Sequence, residues 1–211
     1  MCKEYLWEIK VKSTPTLKRK CSRCNCDRFY CSKKFRINAQ KKSLDVWLIY
    51  RCSECDSTYN LTLLSRTRPE LIDKDLFEKF ARNDEETAWK YAFSRETLQR
   101  NRVEPDYDSV EYEIVHEHIS LKDLPDTDDG VVKFKIQTRF EFGLKLSTVI
   151  RTCLDLSASR FDRLVKAEVI STPKGYPLKK HKLKDGDIVL IDKEKLNIAS
   201  KDTIFTVSAS K

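Results

Sequence analysis

Two Cys-x-x-Cys pairs, Cys21-Ser-Arg-Cys24 and Cys52-Ser-Glu-Cys55, stand 27 residues apart in a chain of 211. Nothing else in the sequence restricts the fold so strongly. Tetrahedral zinc takes four nitrogen or sulfur ligands, with sulfur at about 2.3 Å. One such turn presents two sulfurs on one side, so two turns at the same end of a hairpin close the coordination sphere. The pairs are alike beyond their cysteines. Each reads Cys-Ser-x-Cys and continues with Asn25 or Asp56, the non-glycine residues that best tolerate a left-handed backbone, as expected just past a knuckle. A redox pair needs one Cys-x-x-Cys at a strand–helix junction, whereas these two flank strand-like segments. The expected metal ligands are therefore Cys21, Cys24, Cys52 and Cys55, with zinc as the expected structural cofactor. A sphere closed by four thiolates leaves no position for a reacting water. Cys26 and Cys31 are left over; they read as small core fillers, the alternatives being that one replaces a knuckle ligand or that they hold a second metal with outside help, and Cys2 and Cys153 read as structural likewise.

The segments 33–40, 43–52 and 57–66 are rich in β-branched and aromatic residues and predict three antiparallel strands, with a hairpin turn at 40–43. Residues 3–12 alternate, with Trp7, Ile9 and Val11 on one side, and predict a half-buried strand. From 71 the period changes. Asp73 is a helix N-cap candidate ahead of Leu76, Phe77 and Phe80, and Asn83 with Glu86 fits a capping box. A third short helix is expected at 94–101, a break at 102–109, and strands at 110–119 and 131–138. In the last third, Leu146, Val149, Ile150 and Leu154 share one helical face, as do Phe161, Leu164 and Val165 in the next segment; strands follow at 187–191 and 203–208. The fold class is α+β in three parts. Residues 1–66 form a zinc ribbon with a three-stranded antiparallel sheet, 67–130 an acidic helical connector with a strand, and 131–211 a small α/β module.

Charge follows the same partition. Lys and Arg outnumber Asp and Glu by 15 to 6 in residues 1–66 and by 17 to 9 in 131–211, and are outnumbered 9 to 18 between them. Basic ends point to an anionic partner, most often nucleic acid. The competing reading is that the ends bind the acidic middle. No apolar run approaches the roughly 18 residues of a membrane span, and the alternating start is unlike a signal peptide. The expected compartment is the cytoplasm, where thiols stay reduced, with no membrane partner.

The segment 143–191 carries Lys145-Leu146-Ser147, then Ser159-Arg160, then Leu164-Val165-Lys166, and closes on Leu183-Lys184-Asp185-Gly186-Asp187-Ile188. In this it resembles the RNA-binding module first named for the small-subunit ribosomal protein S-four. It departs from that pattern at Glu168, where the module has glycine, and at Pro173-Lys174-Gly175-Tyr176, where the module has an Asn-Gly turn. The resemblance implies contact with structured RNA, ribosomal RNA or tRNA, or with the ribosome. The residue pattern agrees. Arg160, Arg163 and Lys166 share one helical face, and Lys179, Lys180, Lys182 and Lys184 form a basic loop around His181. With Lys145 these are the candidate RNA-binding residues. The stretches "KFRINAQKKSLDVWLIYRCSEC" and "LIDKDLFEKFARNDEETAWKYAF" are similar to a bacterial family known as domain of unknown function family 1062, which implies a bacterial cytosolic protein with a zinc ribbon and supplies no activity.

No nucleotide-loop, dinucleotide, hydrolase-elbow or zinc-protease motif occurs, and no catalytic residue is assigned. His116 and His118 form a His-x-His pair that needs a third ligand, for which His181, Asp126 and Asp128 are the candidates. The expected function is non-catalytic binding of structured RNA through basic surfaces at both ends. The alternatives are a protein–protein adaptor for an acidic partner and a metal-dependent enzyme built on His116 and His118.

Overall fold

In the segment 43–52, Leu44, Val46, Leu48, Tyr50 and Cys52 are buried in strict alternation, so one face of this strand is continuous core. The computed structural model describes residues 4–40, 42–128 and 130–199. Cys2, Lys41, Asp129 and the strand expected at 203–208 lie outside them. The protein is mixed α+β with two sheets, and it divides into two units. One is built from residues 11–111, the other from the strand at the start of the chain together with the residues from 112 onward.

In the first unit the strands are β2 (Thr16–Lys18), β3 (Arg28–Gln40), β4 (Ser43–Cys52), β5 (Thr58–Thr67) and β6 (Glu104–Asp106). They run antiparallel in the order β5-β4-β3-β2-β6. The three long strands fall where the sequence predicts them. The sheet has five strands, because β2 and β6 are three-residue strands, too short to show a period. Pro105 is tolerated in β6 because that strand is an edge. β3 begins five residues earlier than expected. A bulge between Cys31 and Lys34, with Lys33 at φ 58°, interrupts its apolar row.

Helices α1 (Lys74–Ala81) and α2 (Glu85–Phe93) pack on β3, and α3 (Arg95–Arg100) lies against β5 and β6. Asp73 caps α1 as expected, accepting the Leu76 amide at 2.9 Å. The second cap is Asp84, not Asn83. Asp84 accepts from the amide and hydroxyl of Thr87, while Asn83 takes a left-handed turn and its Oδ1 accepts the Phe35 amide at 2.7 Å. Leu17, Phe29, Val46, Leu48, Leu61, Phe80 and Leu98 are among the buried residues of this core.

In the second unit, β1 (Glu4–Val11), β7 (Tyr112–His116), β8 (Val131–Thr138), β9 (Ile170–Ser171) and β10 (Ile188–Asp192) form a sheet in the order β7-β1-β8-β10-β9. β1 pairs parallel with β8, and β10 antiparallel with β8 and β9. The strand at the start of the chain therefore does not belong with the cysteine-bearing sheet. A parallel pair needs a crossover, and here residues 11–111 lie inside the connection from β1 to β8. The boundaries expected at 66/67 and 130/131 fall inside the two units. Trp7 and Tyr5 pack on Phe134 at ring-centroid distances of 4.5 and 5.3 Å. Helix α4 (Leu146–Cys153) buries Leu146, Val149 and Ile150, and α5 (Ala158–Lys166) buries Phe161 and Leu164. Residues 193–199 are helical. Among the described residues no helix is long and apolar enough to cross a membrane.

Candidate metal centre and basic helix face

Both cysteine pairs sit on hairpin turns at one end of the five-stranded sheet. In the β2–β3 turn the Cys21 amide donates to the Cys26 carbonyl at 2.8 Å; in the β4–β5 turn the Cys52 amide donates to the Ser57 carbonyl at 2.9 Å. Each turn therefore closes from its first cysteine onto the carbonyl five residues later. Asp56 has the expected left-handed backbone, at φ 56°. Asn25 does not; the Asp56 amide turns back to the Cys52 carbonyl at 3.2 Å, a bond with no counterpart at Asn25 among the described residues.

The hairpins bring the four expected thiols together. Cys21 and Cys55 have their sulfurs 3.6 Å apart, Cys24 and Cys52 3.5 Å, and all four lie within 4.8 Å of one another. Four sulfurs about 2.3 Å from a common centre stand about 3.8 Å apart, so the cluster has the dimensions of a tetrahedral site. None of the four is in a disulfide. Burial is graded. Cys52 continues the core alternation of β4 and is fully buried, Cys21 and Cys24 are half-buried, and Cys55 is exposed.

Electrostatics differ across the cluster. The Ser57 hydroxyl, 3.0 Å from Cys21 Sγ, and the Arg23 amide at 3.4 Å lower the Cys21 thiol to about 6. For Cys24, the Cys26 amide favours the thiolate, but desolvation and the neighbouring thiols outweigh it and push the group up to about 12. Crowded thiols cannot all ionise without a cation between them. The donor set, four sulfurs supported by hydrogen bonds from the Ser57 hydroxyl and the Arg23 and Cys26 amides, therefore fits a soft or borderline divalent metal.

The sequence reading missed Ser57, whose hydroxyl also lies 3.2 Å from Cys55 Sγ. The signal was present, because the paired motif extends one residue further than Asn25 and Asp56. Cys26 in the first turn occupies the place of Ser57 in the second. Cys26 is half-buried and its sulfur bonds the Arg28 backbone at 3.4 Å. Cys31 and Cys153 are buried, and burial raises their thiols to about 11 and about 12.

Several basic residues near the knuckles are occupied within their own unit. Lys18 pairs with Glu104 at 2.8 Å, Arg28 with Asp106, and Lys33 with Glu85. The acidic segment of the sequence thus neutralises part of the basic one.

In the other unit, Ser157 caps α5 by accepting the Arg160 amide, and the burial of Phe161 and Leu164 turns Arg160, Arg163 and Lys166 outward to exposed positions. The basic loop is fastened from several sides. The Leu146 amide donates to the His181 carbonyl and the Leu183 amide to Leu144, so Lys145 and Lys182 face each other across a β-bridge. His181 stacks on Tyr176 at 4.3 Å, and its Nε2 meets Asp187 at 2.7 Å. Lys179 reaches Asp162 on α5 at 2.8 Å. Lys180, Lys182 and Lys184 are exposed. Glu168, where the sequence departs from the resembled module, has φ 54° just past the end of α5, and Lys195 neutralises it at 2.8 Å.

His116 ends β7 and His118 lies beyond it, with their rings 6.4 Å apart. Two of the three suggested third ligands are engaged elsewhere: His181 with Asp187, and Asp126 with Lys193 at 2.6 Å. Among the described residues, the four thiols are the one group of three or more potential ligands drawn together.

Compared with curated proteins and with solved structures, the chain matches none. A family model does match, over residues 37–175. That span takes in the second knuckle, α1 to α5 and β9, and leaves out the first knuckle and the basic loop. It covers well over half of the chain, which therefore belongs to the family described as Protein of unknown function (DUF1062).

Proposed function

We propose that this protein binds structured RNA without catalysing a reaction, through the basic face of α5 and the loop 179–184, and that its four thiolates hold a structural zinc. The observation that carries the reading is the Lys179–Asp162 contact. It sets the lysine-rich loop beside α5, where Arg160, Arg163 and Lys166 are exposed. Two basic elements fastened to one small sheet suit the phosphates of a folded RNA, which is recognised largely by shape and backbone. The ribbon contributes less than its composition suggests, because Lys18, Arg28 and Lys33 already have acidic partners. Zinc is favoured because four thiolates in a closed tetrahedron are its usual structural ligand set. The S-four-like character of the C-terminal unit and the ribbon character of the other belong to the same proposal.

The test is binding of metal-replete protein to folded tRNA and ribosomal RNA over a salt series. The logarithm of the binding constant falls linearly with that of salt concentration when phosphates are neutralised. A slope of several units, reduced by about two in an Arg163→Glu, Lys166→Glu double variant, supports the reading. Absence of binding at low salt overturns it and brings forward the adaptor for an acidic protein.

A further inference from the structure

A cavity of about 170 Å³ opens between the β7–β8 connection and the turn joining α4 to α5. Buried Leu121 and Leu154 give it an apolar floor, and His118, Lys122, Asp155 and Arg160 line it above. Sites for drug-sized molecules run to about 300–1,000 Å³, so this one takes a single small ring system. The polar lining has an unusual feature. Asp155 shares the cavity with two cations, yet it makes no ion pair with either, and among the described residues neither cation has another acidic partner. The cavity therefore offers one carboxylate and two cations to a ligand from exposed positions. Asp155 stands just past the end of α4 on a left-handed backbone at φ 48°. Arg160 stands in the first turn of α5.

We propose that this cavity seats one unpaired guanine nucleotide of the bound RNA. The inference rests on the RNA reading above, and Arg160 is the residue common to both. Unstacked bases are held on histidine rings and on arginine planes, and His118 and Arg160 supply one of each. Lys122 takes the phosphate. The Asp155 carboxylate accepts hydrogen bonds only, and guanine is the common base whose pairing edge offers it two adjacent donors, N1–H and the 2-amino group. The site therefore adds a preference for one base to an interface that otherwise reads backbone.

The test uses the full metal-loaded chain and three RNAs: a hairpin with guanine in its loop, the same hairpin with adenine there, and a blunt duplex of equal length. Guanosine, adenosine and cytidine 5′-monophosphates are titrated alongside by ligand-observed NMR. The guanine hairpin is expected to bind about tenfold tighter than the adenine hairpin, within the discrimination that one bidentate hydrogen-bonded base contact supplies. Asp155→Asn should bring the two hairpins within about twofold, and asparagine keeps the left-handed backbone accessible. His118→Ala, at an exposed position, should weaken both hairpins and leave the duplex unchanged. Equal binding of the two hairpins by the unaltered protein overturns the base site, as does a guanine preference that survives Asp155→Asn. If Arg163→Glu, Lys166→Glu weakens all three RNAs while Asp155→Asn and His118→Ala change nothing, the base site falls and the RNA reading stands. If guanosine monophosphate binds and Asp155→Asn abolishes this while no RNA binds at low salt, the RNA reading falls and the site stands as a nucleotide pocket.

Discussion

Exchanging Cys55 for serine isolates the contribution of the metal. Cys52 is unsuitable for this purpose, because it is fully buried in the β4 core and its loss would also disturb packing. Cys55 is exposed, and its sulfur lies among the other cluster thiols, 3.6 Å from Cys21 Sγ and 3.2 Å from the Ser57 hydroxyl. Without metal, such a surface change is worth within about 0.5 kcal/mol. With metal at about a thousand times its dissociation constant, binding contributes about 4 kcal/mol to the folded unit. The unit has about 100 residues, for which each kcal/mol moves the melting temperature by about 4–8 °C. The expected result is a fall of roughly 15–30 °C for Cys55→Ser in zinc-containing buffer and a difference of no more than a few degrees in chelator. Calorimetry on both proteins in both buffers, with metal content by atomic emission, checks this. If unaltered protein melts at the same temperature with and without chelator, the cluster holds no structural metal. A Cys55→Ser protein that falls as far in chelator as in zinc shows that the side chain matters for some other reason.

Asn101 bridges the exposed edge strand β5 to α3. Its Oδ1 accepts the Thr62 amide at 2.8 Å, and its Nδ2 donates to the Thr62 and Thr97 carbonyls at 2.8 and 2.9 Å. At about 1 kcal/mol per bond, Asn101→Ala should cost about 2–3 kcal/mol in urea unfolding, and a loss below about 0.5 kcal/mol would contradict the bridge. At the start of α2, hydrogen bonds from the Thr87 hydroxyl and amide hold the Asp84 carboxyl below its ordinary value of 3.8. A group depressed on folding stabilises above its unfolded value, and that stabilisation is lost as pH falls through the lower folded value. Asp84→Asn retains a capping side chain, so its stability should fall less steeply than that of unaltered protein as pH drops below about 4; parallel curves would refute the assignment.

Local order was legible in the sequence, while pairing between distant segments was not. The alternation of Leu44 through Cys52 placed β4, the Asp73 cap placed α1, and the repeated Cys-Ser-x-Cys motif placed the thiol cluster. The strand at 4–11 was recognised and then grouped with its sequence neighbours. Its actual partner is β8, and no local pattern encodes a parallel pairing. β2 and β6 escaped notice because three residues carry no period. The Asn83–Asp84 miss has a different cause, since both residues favour a cap. Asn83 was drawn to the Phe35 amide by tertiary packing, and the adjacent aspartate took its place. Likewise the net charge of residues 1–66 overstated their free cations, because Glu85, Glu104 and Asp106 lie far along the chain from the lysines and arginine they neutralise.

Because residues 11–111 lie in the chain between β1 and β7, a metal held by the thiol cluster is expected to influence the pairing of a sheet that does not contain it. The two ends of the unit spanning 11–111 are clasped within that unit. The Lys12 amide donates to the Glu111 carbonyl at 2.7 Å, the Glu111 amide to Ser13 Oγ at 2.9 Å, and the Thr16 amide to Ser109 Oγ at 2.9 Å. While the clasp holds, β1 and β7 leave the inserted unit as though joined by a short loop. With the clasp intact, residues 112–130 leave an effective loop of about 20 residues between β1 and β8; when the inserted unit unfolds, pairing β1 with β8 must close a loop of about 120 residues. Loop-closure entropy grows as (3/2)RT ln n, so replacing an effective loop of about 20 residues by one of about 120 costs about 1.6 kcal/mol. Hydrogen exchange of the β8 amides reads this directly. Under conditions in which chelation has unfolded the 11–111 unit, their protection should fall by up to about fifteenfold. Protection of β8 that is unchanged while the amides of β4 exchange freely would show that β1 docks independently of the inserted unit. The metal would then stabilise only the unit that carries it.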